Sequence, residues 1–385
     1  MPGRITRLPG DIADLLRITG GVVDLRRAEA AGVSESRLRR VVAAGYLTRV
    51  AVGHYVATST LRSLDEWQRH RLRALAFAMS CGGDAYVTGW SAVVIWKLPT
   101  LGPPPDLPLV VRPKAPRRSP QTTPYGRVLV ADLPERHRIR SGELGVVSRA
   151  WAVAEVARSA PLAHALVVAD AAVRDGVDLG AALSQMNRWP HVGRARWIRD
   201  HVDPGAENPL ETLGRFTCIE FALPLPVSNA WVGTDRPVFR VDGLWPYHWA
   251  ASEGDGALKY DNRPDASSIV AAQNEREWYL RRLGLDFARY GWGLAAFRRA
   301  ELAQRFAALL RDNPPREVPI RWWKHIPGVG PVEPGPADWP SPAPVPIVLP
   351  PDRDRDPQPR RPERTSPGRP PHPGRFVPAI RRSGL

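Results

Sequence analysis

The sequence predicts an α/β chain built from several units, and three observations carry that expectation. At 385 residues, 43% of them hydrophobic, the chain exceeds what one small core needs and suits two or three. Apolar residues recur at helical spacing in some stretches and gather into short strand-like runs in others. Proline- and glycine-rich breaks separate these stretches, across 101–122, at Asp203-Pro204-Gly205 and near 330. The units expected are a small helical unit closed by a hairpin at 1–58, a mixed α/β middle at 59–203 and a three-layer α/β domain at 204–312. A docking segment or linker at 313–330 and a disordered Pro/Arg-rich tail at 331–385 complete them.

Bulk composition narrows the partners. Lys and Arg number 54 against 39 Asp and Glu, and the net +15 draws the chain toward polyanions, either nucleic acid or an anionic membrane. No apolar run reaches the ~18 residues of a membrane span. The N-terminal MPGRITRLPGDIADLL lacks the apolar stretch and small-residue site of a signal peptide. The expectation is a soluble, cytoplasmic protein with no membrane partner. Cys81 and Cys218 are too far apart for a zinc spacing and too few for a disulfide framework, so both read as buried thiols. The nine histidines form no pair at metal-ligand spacing, and no glycine loop cradles a nucleotide.

The first unit reads almost residue by residue. Ile12, Leu15 and Leu16 mark a helix that stops at Gly20-Gly21, and a second runs from about Leu25 to Ala31 before Gly32. Ser34 is placed to cap a third helix through Glu35, Arg37 and Val42 to Gly45. Leu38, Val41 and Val42 share its inner face, Ser36 and Arg40 point away, and Arg37 and Arg39 flank them. A basic outer face of that kind suits a recognition helix in a major groove, because arginine bonds both guanine edges and phosphates. Leu47 to Val56 reads as two strands turning near Val52-Gly53, the place of a wing, with Arg49 and His54 within reach of phosphate. Three helices followed by a hairpin make a winged helix-turn-helix. The same arginines on an ordinary small helical domain are the plainer alternative.

The stretch GGVVDLRRAEAAGVSESRLRRVVAAGYLTRVAVGHYV resembles the N-terminal winged-helix domain of AbiEi-type antitoxins over about residues 15–58. That resemblance implies operator binding and repression of a type IV toxin-antitoxin operon. Double-stranded DNA and a cognate toxin are then the partners expected.

In the middle unit, Tyr86 to Ala92 followed by Trp96-Lys97-Leu98-Pro99 is similar to the segment that follows this domain in related proteins. Ala, Val and Leu at helical spacing in AWAVAEVA and ALVVADAAV mean core. Glu155 and Asp170 are lone acids in those helices and read as structural, as do Trp90, Trp96 and Trp151.

The third unit holds a spaced set of carboxylates. Glu211 lies in a helix whose Leu210, Leu213, Phe216 and Ile219 form a buried stripe. Asp242 ends the strand Val238 to Asp242, and Trp249 to Glu253 returns beside it, so Glu253 can face Asp242 across a hairpin. Asp255 follows, then Lys259, which is available to neutralise charge at a phosphate. Cleaving a phosphodiester with a hard divalent cation requires two or three such carboxylates on rigid strands. A plainer reading makes Glu253-Gly254-Asp255-Gly256 one turn and Asp242-Gly243 another.

The fragments NPLE, RVDGLWP, EGDGALKYD and NEREWYLRRLGLDFARYGW resemble the very-short-patch-repair-like branch of the restriction-endonuclease fold, the PD-(D/E)xK group, over about a hundred residues. The resemblance implies that Asp242 and Glu253 are metal ligands, that Glu211 and Asp255 support them, and that Lys259 and Arg289 take phosphate or structural roles. It makes Mg2+ the cofactor if the domain is active. The usual lysine two residues after the strand glutamate is Asp255 here, which leaves Lys259 as the candidate. The strand before Glu253, Trp249-Ala250-Ala251-Ser252, is poor in β-branched residues, so its grip on a ligand should be loose.

Two features remain. Arg321-Trp322-Trp323-Lys324-His325 reads as a segment docking on its own domain or as an aromatic and basic contact. The arginine-rich tail is either a solvated extension or a source of salt-dependent DNA affinity. Three functions stay open: an antitoxin-like DNA-binding regulator, a metal-dependent endonuclease targeted by its winged helix, and a toxin- or partner-binding module.

Overall fold

Ile12 and Leu16 stand one turn apart, and burying both turns helix α1 (Gly10–Ile18) inward. The protein is described by a computed structural model covering residues 6–255 and 275–351, so Lys259 and the chain beyond 351 lie outside the described residues. After α1 come β1 (Val23–Asp24), α2 (Leu25–Ala30), α3 (Glu35–Ala43), β2 (Leu47–Ala51) and β3 (His54–Ala57). The Asp24 carboxylate accepts the Arg27 N–H at 3.0 Å and the Ser34 hydroxyl accepts that of Arg37 at 3.4 Å. Each cap satisfies a backbone donor that its helix cannot. The strands form one antiparallel sheet in the order β1-β3-β2, with Val23 opposite Tyr55 and Thr48 opposite Val56. Val52 and Gly53 make the β2–β3 turn, and Gly53 has φ +70°, which an L side chain resists. Ile12, Leu38, Val41, Leu47 and Tyr55 close a small core beneath.

Two helices, α4 (Thr58–Ser63) and α5 (Glu66–Cys81), lead onward, and Asp65 and Gln68 form a reciprocal capping box at the start of α5. Strands β4 (Tyr86–Val87), β5 (Leu109–Pro113), β6 (Gln121–Thr123), β7 (Gly126–Ala131), β8 (Arg138–Ser141) and β9 (Leu144–Val147) build a mixed sheet in the order β6-β7-β5-β4-β9-β8. Helix α6 (Gly89–Ile95) sits between β4 and β5 in sequence. Four helices follow the sheet, α7 (Arg149–Ser159), α8 (Leu162–Arg174), α9 (Leu179–Leu183) and α10 (Val192–His201). The two lone acids tie elements together. Glu155 accepts the Gly89 N–H at 2.9 Å and the Thr88 hydroxyl. Asp170 accepts the Asp203 N–H and the Thr212 hydroxyl, both at 2.8 Å. Trp151 is fully buried, and the Trp96 indole donates to Val147 O at 2.9 Å. Cys218 is buried, whereas Cys81, also expected inside, is only partly so.

The remaining elements are α11 (Pro209–Glu220), β10 (Val227–Val232), β11 (Phe239–Trp245), β12 (Ala250–Gly254), a helix α12 at 275–282, β13 (Asp286–Tyr290), α13 (Trp292–Phe297), α14 (Arg299–Asp312), β14 (Trp322–Ile326) and β15 (Gly330–Val332). Their sheet runs β13-β12-β11-β10-β14-β15, parallel between β12 and β13 and antiparallel elsewhere. Trp245, Ala250 and Tyr290 face the core that α11 and α14 supply with Leu213, Phe216 and Phe306. Val241, Leu244 and Ala251 pack with Leu280 of α12. Helices therefore cover both faces.

Two expected boundaries move. The segment expected at 313–330 as a docking segment or linker is part of the domain: it docks through β14, which pairs Trp323 with Trp231 and buries Trp322 to 1% exposure. The tail expected from 331 begins with residues that lie on the domain: β15 pairs with β14, the Trp339 ring stands 5.5 Å from that of Trp322, and Ile347 and Leu349 pack against the main core. Large apolar side chains inside the proline-rich stretch explain both changes, since they bury surface that its composition as a whole lacks. One buried cluster runs from Ala74 to Leu310 and takes in both the middle and the C-terminal units. Among the described residues no helix is long and apolar enough to cross a membrane.

Candidate functional site

Two places gather the side chains singled out in the sequence. At the first, α3 buries Leu38 and Val41 and so turns its other side outward. Ser36, Arg39 and Arg40 are exposed, and Arg40 has no partner among the described residues. Arg39 pairs with Glu35 one turn back at 2.7 Å, and the Ser36 hydroxyl lies 3.1 Å from that of Ser34. Arg37 is held by both oxygens of Asp11 on α1, at 2.7 and 2.9 Å, which fixes α3 against α1. An exposed i,i+4 pair such as Arg39–Glu35 is weak and opens readily to a stronger anion. On the hairpin, Arg49 is exposed and lies 5.6 Å over the Tyr125 ring. His54 instead is buried at 8% exposure, with Nδ1 2.8 Å from Val52 O, so its ring braces the turn.

At the second, strands β11 and β12 and helix α11 bring three carboxylates together. Gly243 opposes Ser252 and Leu244 opposes Ala251, and the next step of that register sets Asp242 against Glu253. Asp242 Oδ2 accepts the Gly254 N–H at 2.7 Å. Glu253 is clasped by Arg276 of α12, whose Nη2 and Nη1 donate to its two oxygens at 2.8 and 3.2 Å. Glu211, at the start of α11, accepts from Glu207 N at 2.7 Å, from Asn229 Nδ2 at 2.6 Å and from Asn208 Nδ2. Asp255 stands further out, 3.7 Å from Arg289, while Arg289 also bonds Glu277 at 2.8 Å.

Burial is the main cause of the electrostatics here. It lifts Glu253 to about 7 against the pull of Arg276, with the neighbouring Asp242 charge adding to the rise. It lifts Glu211 to about 7 as well, and again Asp242 contributes. Asp242 itself is raised by burial, a rise opposed by its Gly254 hydrogen bond and by Arg276. Beside them the buried Tyr290 hydroxyl is pushed far above the usual tyrosine range, first by burial and then by the Asp242 charge. Glu211 and Glu253 therefore keep their protons to a higher pH than exposed carboxyls do.

A divalent cation of the magnesium type demands free carboxylate oxygens in near-octahedral geometry. Here both Glu253 oxygens are engaged by a guanidinium, one Asp242 oxygen by a backbone amide, and both Glu211 oxygens by side-chain and backbone donors. Among the described residues no group of three or more His, Cys, Asp or Glu is placed to hold a metal. As arranged, these residues do not fit the ion. Arg276, Asn229 and Tyr290 are the parts of the cluster that sequence reasoning did not assign. Arg276 had one visible signal, a basic residue opening an amphipathic helix after a carboxylate-bearing strand, but its partner lies 23 positions away.

Residues 11–58 match the family model described as "Transcriptional regulator, AbiEi antitoxin". No curated protein matches the chain. Among solved structures, the crystal structure of the RV2827C protein from Mycobacterium tuberculosis is similar with a TM-score of 0.35 and 16% identity, over 55% of this chain and 82% of that one.

Proposed function

We propose that the protein is a cytoplasmic DNA-binding transcriptional regulator of the antitoxin type, of a type IV toxin-antitoxin pair. In this reading its N-terminal unit is a winged helix-turn-helix. The observation that carries it is the Ser34-capped α3, with Ser36, Arg39 and Arg40 outward beside the β2–β3 hairpin, inside the segment that matches the regulator family. In this reading α3 enters the major groove, Arg40 meets a base edge or phosphate, and the hairpin follows the backbone. Fluorescence anisotropy with a duplex from the DNA directly upstream of the protein's own reading frame tests it. Arg40→Ala should weaken binding to that duplex by about tenfold or more, the worth of one good arginine contact, at an unchanged melting temperature. Equal binding by Arg40→Ala and wild type would remove α3 from the interface.

The C-terminal unit, in the same reading, is a restriction-endonuclease-like domain without catalysis that serves as a further contact, to DNA or to a cognate toxin. The support is Arg276, a built-in cation where the fold's metal chemistry would need free carboxylate oxygens. The gathering of Asp242, Glu253 and Glu211 favours a second reading, a magnesium-dependent endonuclease targeted by the N-terminal unit, with Asp242 and Glu253 as ligands. A plasmid-nicking assay with magnesium or manganese separates the two. The regulatory reading expects no cutting by wild type, Asp242→Ala or Glu253→Ala. Cutting by wild type that both variants abolish, at matched DNA binding, would establish the endonuclease instead.

A further inference from the structure

We infer that the groove between β2 and α5 is a second contact for the phosphodiester backbone of DNA, a step that rests on the regulatory reading and extends its interface beyond α3 and the hairpin. The groove encloses about 560 Å3 and is walled by Arg49 of β2, Arg62 of α4, and Arg69 and Arg73 of α5. Arg69 and Arg73 stand four residues apart on one face of α5, ~6 Å along its axis. Among the described residues none of these four arginines forms an ion pair, although Glu66 and Asp106 line the same groove.

Several arginines elsewhere in the fold are paired. Arg37 is neutralised by Asp11, Arg112 and Arg118 by Asp84, Arg240 by Glu207, Arg276 by Glu253 and Arg299 by Glu220. Four guanidiniums against two carboxylates leave this one concavity net positive, so they repel one another on balance and focus a positive potential into it. An anion relieves that repulsion. His70, at the groove floor, adds no charge: its Nε2 lies 2.8 Å from the Ser91 hydroxyl, and burial holds its pKa down at about 4.

The layout favours an extended ligand. The arginines come from three elements along the groove, and Arg62, Arg69 and Arg73 are exposed, unlike the enclosed cradle a single phosphate takes. Strand β2 is an outer strand of its sheet and also one arm of the hairpin. A DNA strand following the hairpin is therefore handed to α4 and α5. The phosphates give register and salt-dependent affinity, with no sequence information.

The test uses full-length protein, the upstream duplex and a scrambled duplex of equal length, with affinities measured over a series of KCl concentrations. Each phosphate contact contributes roughly 0.9 to the slope of log affinity on log salt, so the combined Arg62→Gln, Arg69→Gln and Arg73→Gln variant should lower that slope by about 2 to 3. It should weaken both duplexes alike and leave their affinity ratio unchanged, and the matching triple lysine variant should restore the slope. Melting temperature controls for folding, since all three side chains are exposed. A glutamine variant with the wild-type slope would overturn the groove contact and leave the regulatory reading standing. A change in the affinity ratio would also overturn it, because the groove would then be reading bases. Wild-type protein that binds neither duplex would overturn the regulatory reading itself.

Discussion

Glu253 and Arg276 show how much one pair can decide. Removing a partner from a buried ion pair commonly costs ~3–5 kcal/mol, because the remaining charge is stranded. Here the stranded group can escape by taking a proton, since its pKa is already near 7. Arg276→Ala should therefore destabilise the protein by about 3 kcal/mol at pH 8 and by much less at pH 5, as read from urea unfolding at the two pH values. An equal loss at both would mean that Glu253 stays charged throughout. Glu211 makes a related prediction. Its folded pKa of about 7 lies above the ordinary 4.5, so between those values the native state holds a proton that the unfolded chain releases. The group then favours the fold most below about 4.5, its contribution falls as pH rises toward 7, and above 7 it is flat. Glu211→Gln, which keeps the side chain's shape but removes the charge and leaves one acceptor oxygen in place of two, should lower stability overall and flatten its decline between pH 5 and 7. An unchanged decline would assign it to other groups. Both acids were visible in the sequence, but what surrounds them was not, because Asn229, Arg276 and Tyr290 come from three different elements.

At the scale of elements, legibility followed locality. The first three helices and the hairpin could be read because their signals are neighbours in the chain: Ser34 before α3, Ile12 and Leu16 within α1, Gly53 at the turn. Ser34→Ala should cost ~1 kcal/mol in thermal or urea unfolding, and a neutral result would show that the cap does nothing for α3. The hairpin of β11 and β12 was legible in outline, but its first strand, expected to end at Asp242, runs on to Trp245 and so carries Asp242 inside the strand rather than at its end. Strand β14 was legible as a segment that docks on its own domain but not as a strand, since its partner lies some ninety residues earlier, Trp231 opposite Trp323. The small residues of β12, expected to hold it loosely, make it a buried strand between β11 and β13, with Ala250 and Ala251 fully covered. Helix α11 has a similar hidden constraint at Gly214, where an added Cβ would stand 2.1 Å from the Tyr290 hydroxyl oxygen. Gly214→Ala raises helix propensity, yet overpacking of this kind costs ~1–3 kcal/mol, so the melting temperature should drop. A rise would mean that β13 and α11 yield easily.

For the molecule as a whole, the largest correction to the sequence reading concerns where the folded body stops. A chain ended after residue 312 loses β14 and β15, bares the edge of β10 and removes Trp322 from the core. Such a truncation should be insoluble, while one ended after residue 350 should melt as the full protein does. Soluble, cooperatively folding protein from the shorter chain would show that the last two strands are dispensable. An exposed sheet edge is a template for aggregation, which is why the shorter chain is expected to fail.

The strand order also sets a timetable during synthesis. The first sheet is complete once β3 has emerged, and Ala76 of α5 packs against Val50 and Val56 soon afterwards. The last sheet has to wait for β14 and β15, about 270 residues later. At ribosomal rates that interval lasts on the order of tens of seconds. Each new copy thus carries a finished N-terminal unit on an unfinished body while it is still tethered to its message.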